Sequence, residues 1–184
     1  VINARTRREL VAEMAAGAVP DFLFFWGHTA KPGGELGKWV LSQWWPVKFS
    51  VDGQLYRSSE QFMMAEKARL FGDEEMLARI LESETPADAK KIGRAVRDFD
   101  QDVWLRRRYE IVVRANIAKF GQNADLAGFL AATGEKVLVE AAPRDVIWGI
   151  GLGAENPRSA DPAQWRGQNL LGFALMDARA SVAG

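Results

Sequence analysis

The chain predicts a helix-rich α+β fold, a single domain with a small antiparallel sheet. Three observations predict it. Two runs near positions 47 and 56 alternate apolar and polar residues around a turn signal. Most of the following segments repeat apolar residues at a period near 3.6 and open on a capping residue. Glycine and proline separate these segments without any linker or repeat.

In order, Arg5 to Ala16 reads as a charged helix stopped by Pro20, so residues 1–20 form a helical extension and residues 21–184 the domain proper. Phe22 to Trp26 is a short aromatic run that fits a buried strand, and the Pro32, Gly33, Gly34 and Gly37 stretch is a loop. Val47, Phe49 and Val51 alternate with Lys48, Ser50 and Asp52. The Asp52-Gly53 pair then turns the chain into Leu55 and Tyr56 as a hairpin. Ser58 with Gln61 has the form of a capping box opening a helix to about Phe71. Thr85-Pro86 with Asp88 marks another start, and Asp100 precedes a long helix ending near Phe120-Gly121. Asn123 opens a helix that Gly134 closes, Lys136 to Ala141 reads as a strand, and Leu170 to Arg179 as a terminal helix.

Composition narrows the chemistry. There is no cysteine, which excludes disulfides, thiolate catalysis and zinc-cysteine sites, and the lone histidine, His28, excludes a site with several imidazole ligands. Lys plus Arg and Asp plus Glu number 24 each, so no net field steers the protein onto duplex nucleic acid. No long apolar run is present and the first residues are charged, which leads us to expect a cytosolic protein with no membrane partner. Seven tryptophans, four of them between positions 26 and 45, fit either core filling or aromatic walls for a planar ligand.

The helix opening at Ser58 is the most informative segment. At 100° per residue Glu60, Met63, Met64, Lys67 and Phe71 share one stripe, while Glu66 and Arg69 point elsewhere. An acid and an amine on an otherwise apolar face must line a pocket or meet partners, because burying an unpaired charge is costly. They stand about 10 Å apart along the axis, too far for an easy mutual pair. The plain alternative is a Glu serving the helix dipole and a Lys snorkelling to water. The second segment, Glu140 to Gly153, runs from a strand through Pro143 to Asp145, Trp148 and the spaced glycines Gly149, Gly151 and Gly153. It suits either close approach to a ligand or a tight turn with Trp148 as filler. It is no dinucleotide fingerprint, since Glu155, Asn156 and Pro157 replace the required helix. Arg94, Lys119 and Asn169 are further polar residues in apolar or punctuated settings, each a possible phosphate contact.

Taken together the segments resemble the YbiA-like, or NADAR, family from Phe22 to Arg179. The resemblance is carried by Ser42-Gln43-Trp44-Trp45-Pro46, by Tyr56 to Ala68, by Lys90-Lys91-Ile92-Gly93-Arg94 and by Lys119-Phe120. It continues through Leu138 to Ala141, Asp145 to Gly151 and Gly167 to Gly172. Ala142 departs from it where a serine is expected. The resemblance implies an N-glycosidase without cofactor or metal, acting on phosphoribosyl intermediates of riboflavin biosynthesis or removing ADP-ribose from guanine. The partner would be that small molecule or an ADP-ribosylated nucleic acid.

By motif, Glu60, Lys67 and Asp145 carry catalysis and Trp148 binds substrate, with Arg94, Trp44, Lys119, Asn169 and Gly149 assisting. Glu60 would face the cationic sugar, and Asp145 would handle the proton on the leaving group or the ribose hydroxyls. Lys67 would either attack the opened sugar as a neutral amine or hold a phosphate. Trp148, with Trp44, would stack on the base, and Arg94 with Lys119 would hold phosphate. Two other readings stay open: a non-catalytic module for ADP-ribose-like ligands, and a protein-interaction scaffold, which would require exposed Trp44 and Trp45.

Overall fold

The computed structural model describes residues 1–182. In chain order its elements are helix α1 (Arg7–Ala15), strand β1 (Phe22–Phe25), strands β2 (Phe49–Val51) and β3 (Gln54–Tyr56), and helices α2 (Ser59–Leu70), α3 (Glu74–Glu82), α4 (Pro86–Gly93), α5 (Gln101–Gly121) and α6 (Ala124–Ala132). Strand β4 (Val137–Glu140) and helix α7 (Leu170–Val182) complete it, with short 3-10 turns at Lys38–Leu41, Pro157–Ala160 and Pro162–Gln164. The chain divides into two compact units, Val1–Ser42 with Asp125–Gly184, and Gln43–Ala124.

The first unit is built on a parallel pair that the sequence reading does not include: β1 runs beside β4 with Phe22 opposite Val137 and Phe25 opposite Glu140. Val137, Leu138 and Val139 are all fully buried, the unbroken apolar run expected of a strand covered on both faces. α7 packs against β4. At Gly172 a Cβ would stand 2.0 Å from the Leu138 carbonyl oxygen, so only glycine lets the helix backbone approach the strand this closely. Thr6 caps α1 by accepting from the Glu9 N–H at 3.2 Å. Arg5 pairs with Asp177 of α7, and Arg7 donates to the carbonyls of Pro162 and Ala163, which ties α1 to the C-terminal part of this unit.

The second unit contains the expected hairpin. β2 and β3 pair antiparallel with Phe49 opposite Tyr56, and Asp52 and Gly53 both take positive φ, 50° and 78°, as the tight turn requires. Ser58 caps α2 through the Gln61 N–H, but the Gln61 side chain reaches one residue past a standard capping box and accepts from the Arg57 N–H at 2.8 Å. Its amide nitrogen donates to the Ile80 carbonyl, tying the start of α2 to the end of α3. α2 packs on α3, α4 and α5 and is buried continuously from Ser59 to Ala65. That encirclement is why the apolar stripe is only part of its buried surface. The starts at Thr85 and Asp100 are as the sequence predicts, each side chain accepting from the N–H three residues on. α3 is an additional helix, capped by Asp73, which also takes three hydrogen bonds from Arg97. No helix among the described residues is long and apolar enough to cross a membrane.

Candidate functional site

α2 places an acid and an amine as its stripe predicts. Glu60 lies in the first turn, 4% exposed, with its N–H donating to the Gln43 carbonyl at 3.0 Å. Two turns later Lys67 is half-buried, and its Nζ donates to the carbonyl of Gly93, the last residue of α4, at 2.7 Å. This is the separate partner that the spacing demands. The same ammonium sits 4.5 Å from the Phe99 ring centre and 5.9 Å from that of Trp104, while Phe99 meets Phe71 edge-on at 5.3 Å. Burial and then the nearby positive charge of Arg94 hold the Lys67 pKa below its ordinary value. The Gly93 carbonyl and the rings of Phe99 and Trp104 escape sequence reasoning because the end of α4, the loop after it and α5 supply them from 26 to 37 positions away.

Gly93 also lets α4 approach α2. A Cβ there would lie 2.1 Å from the Met64 sulfur. Arg94, which caps the end of α4, is exposed and suited to meeting an anion from solvent. Trp44 is half-buried with the Lys90 ammonium 5.7 Å from its ring centre. Trp45 is half-buried too, so neither indole is the exposed feature that a partner scaffold requires.

Lys119 departs from expectation. It is 0% exposed on the inner face of α5, and burial pushes its pKa down to about 7. A phosphate anchor should stay charged at neutral pH, whereas desolvation makes this amine easy to deprotonate there. Beside it in the sequence, Asn116 donates to the Gln43 side-chain oxygen at 3.0 Å. Among the described residues the Gln43 amide nitrogen, the Asn116 side-chain oxygen and the Ser59 hydroxyl are buried without a hydrogen-bond partner. Each such group costs about 1–3 kcal/mol. Gln43 and Ser59 adjoin Glu60, through the hydrogen bond to its N–H and through the chain, so polarity here is retained at the expense of stability. Neutral side chains give no sequence signal for this, since nothing in the pattern marks their burial.

In the first unit the Asp145 segment folds as a cap. Asp145 Oδ1 accepts from the N–H groups of Ile147 and Trp148 at 2.9 and 2.8 Å, fixing the carboxylate and the half-buried Trp148 together. The carbonyls of Ile147 and Trp148 then accept from Leu170 and Leu171, the first residues of α7. That helix N-terminus is therefore satisfied by the loop. The expected close approach of glycine is to the protein's own backbone: a Cβ on Gly149 would lie 2.8 Å from the Glu140 carbonyl oxygen.

Asn169 is also committed. It is 0% exposed at φ 56°, and its amide accepts from the Glu140 N–H and donates to the Leu138 carbonyl, both at 2.9 Å. The structure thus uses this side chain, a candidate phosphate contact in the sequence, as a clamp on β4.

A helix-rich α+β protein with a buried carboxylate and a pKa-lowered amine on one helix face defines the class. The chain belongs to the NADAR domain family, whose family model matches residues 24–183. It is similar to the N-glycosidase R617 of Acanthamoeba polyphaga mimivirus, 41% identical over 163 residues, which span 86% of this chain and 94% of that one. It is also similar to the N-glycosidase YbiA of Escherichia coli strain K12, 32% identical over 139 residues covering 76% and 77%. The NMR structure of Escherichia coli YbiA superimposes with a TM-score of 0.71 over 89% of this chain and 86% of that one, at 26% identity. A riboflavin biosynthesis protein of Vibrio vulnificus is 30% identical over 139 residues, which cover 76% of this chain but 34% of that one.

Proposed function

We propose that this protein is an N-glycosidase that hydrolyses the carbon–nitrogen bond of phosphorylated ribosyl compounds. The observation that carries the reading is the pairing on α2 of buried Glu60 with Lys67, whose amine is held below its ordinary pKa, in a chain 41% identical to a named N-glycosidase. Cleaving a ribosyl carbon–nitrogen bond builds positive charge at the anomeric carbon. A carboxylate in a helix's first turn stabilises that charge or activates water. Lys67, once neutral, can attack C1 of the opened sugar as the base departs, and water then hydrolyses the resulting imine. In its cationic form it holds a phosphate beside Arg94. Asp145 handles the proton on the leaving group or the ribose hydroxyls, and Trp148 stacks on the base.

Two substrate classes follow. The name of the Vibrio vulnificus relative supports a riboflavin-pathway intermediate, and the family resemblance adds ADP-ribose on guanine. Balanced charge, 24 cationic against 24 acidic residues, favours the small molecule over a long nucleic acid. Incubation with each substrate and mass detection of released base and sugar tests the reading. Release from one of them, falling by about a hundredfold or more in kcat for Glu60→Gln, is expected. Binding of either substrate without release would leave a non-catalytic module instead.

A further inference from the structure

Phe99 lies in the loop between α4 and α5, and its ring stands over the amine of Lys67. The ring is 44% exposed, so it forfeits much of the burial from which an aromatic side chain ordinarily gains. One part of it is nevertheless engaged, 4.5 Å from the Lys67 Nζ and, edge-on, 5.3 Å from the ring of Phe71. A ring kept partly in water and partly against one ammonium serves that ammonium more than it serves the core.

The loop that presents the ring is clasped at both ends. On one side Arg97 donates to the Asp73 carboxylate from its backbone N–H and twice from its guanidinium. On the other, Asp100 accepts from the Val103 N–H at 3.0 Å and caps α5. Between them Asp98 holds φ 53°, a left-handed conformation that residues other than glycine adopt at a cost. A strained residue between two fixed ones holds the neighbouring Phe99 in one place.

Of the charges around the amine, Arg94, after α4, repels it. Glu66 of α2 is paired with Arg69 and with Arg114 of α5, and Asp73, at the start of α3, is paired with Arg97. The π face of Phe99 therefore takes part of the role of a counter-ion, while the bulk of the ring withholds water. From this geometry we propose that Phe99 is a positioning residue for the Lys67 amine, its face seating the Nζ beside the Gly93 carbonyl and its bulk keeping water away. The inference rests on the N-glycosidase reading, in which that amine acts, and adds to it a residue that works through Lys67. Its two effects oppose each other: a π face favours the charged amine, whereas exclusion of water favours the neutral one.

Substitution separates them. Phe99→Leu keeps apolar bulk and removes the face, and Phe99→Ala removes both and admits water. In the full chain with isotope-labelled lysine, the Lys67 Cε resonance, identified by its loss in Lys67→Arg, reports the midpoint of the amine's titration. Phe99→Leu should move that midpoint down by about half a unit to one unit, and Phe99→Ala should move it up by about as much. Phe99→Tyr, which keeps the face, should restore the parent's midpoint. A loosened fold would shift the leucine and alanine variants in the same direction, so opposite signs mark the positioning role. Midpoints that coincide in every variant, or that move the same way with leucine and alanine, would overturn the inference. Hydrolysis of the two substrate classes, followed alongside, tells this failure from that of the reading. Opposite shifts in a chain that cleaves neither class would leave Phe99 seating the amine and remove the N-glycosidase reading; turnover with unmoved midpoints would do the reverse.

Discussion

The Lys67 ammonium donates to the Gly93 carbonyl at 2.7 Å, so the amine on the central helix of the second unit is held by the end of α4. A backbone carbonyl is an acceptor that no side-chain substitution removes and one that does not neutralise the charge. Desolvation by the aromatic surround is therefore left to lower the pKa.

If Lys67 is the nucleophile, borohydride added during turnover should trap a covalent sugar adduct on it. Trapping should speed up as pH rises toward the lowered pKa, because only the neutral amine attacks. Lys67→Arg retains a charge but forms no imine, and should lose about a thousandfold in kcat. An active Lys67→Arg enzyme with a raised KM and no adduct in the parent would assign the amine to phosphate.

Lys119 makes stability depend on pH. Its folded pKa, about 7, lies below that of an unfolded lysine, so above pH 7 the unfolded chain binds more protons at this site than the folded one. Stability should accordingly rise with pH from about 7 toward 10. Above 10 the trend should reverse, since burial raises the Tyr56 pKa and the unfolded state loses that proton first. Urea midpoints across this range should lose the rising limb in Lys119→Met; an unaltered limb would assign it to another group.

Asp73 gives a second rising limb, at acid pH. Three hydrogen bonds from Arg97 and one from the Met76 N–H hold its carboxyl well below the usual range. The stabilisation is present above the unfolded pKa near 4 and is lost as pH falls through the folded one. Asp73→Asn should lower Tm at pH 7, and the gap from the parent should close in strong acid. A constant gap at every pH would mean the side chain matters only as a helix cap.

Asn169 separates backbone from side-chain effects. Asn169→Ala leaves the Glu140 N–H and the Leu138 carbonyl oxygen unpaired at a strained φ, and should cost about 2–4 kcal/mol. Asn169→Gly relieves the strain but not the lost bonds, so it should recover only part of this. Full recovery in the glycine variant would show that the clamp contributes little.

What the sequence made legible was local. Ser58, Thr85 and Asp100 announce their helices because a capping side chain acts within three residues, and Asp52-Gly53 announces its turn for the same reason. The α3 start carries a local signal of the same kind in Asp73 followed by Glu74 and Glu75. The β1–β4 pair could not be read, because its strands are separated by more than 100 positions and parallel pairing leaves no turn signature. In the site, the facing of Glu60 and Lys67 followed from helix periodicity. The burial of Lys119 and the commitment of Asn169 did not, since a residue's type reports neither its solvent nor its partner.

The discontinuity of the first unit has a consequence for biosynthesis. Val1–Ser42 must wait for Asp125 onward before β1 acquires its neighbour, whereas the second unit, Gln43–Ala124, is contiguous in the chain. The nascent chain should thus hold an aromatic strand edge unpaired while Gln43–Ala124 is still being made. A truncation that removes β4 would leave the N-terminal strand without the neighbour it pairs with.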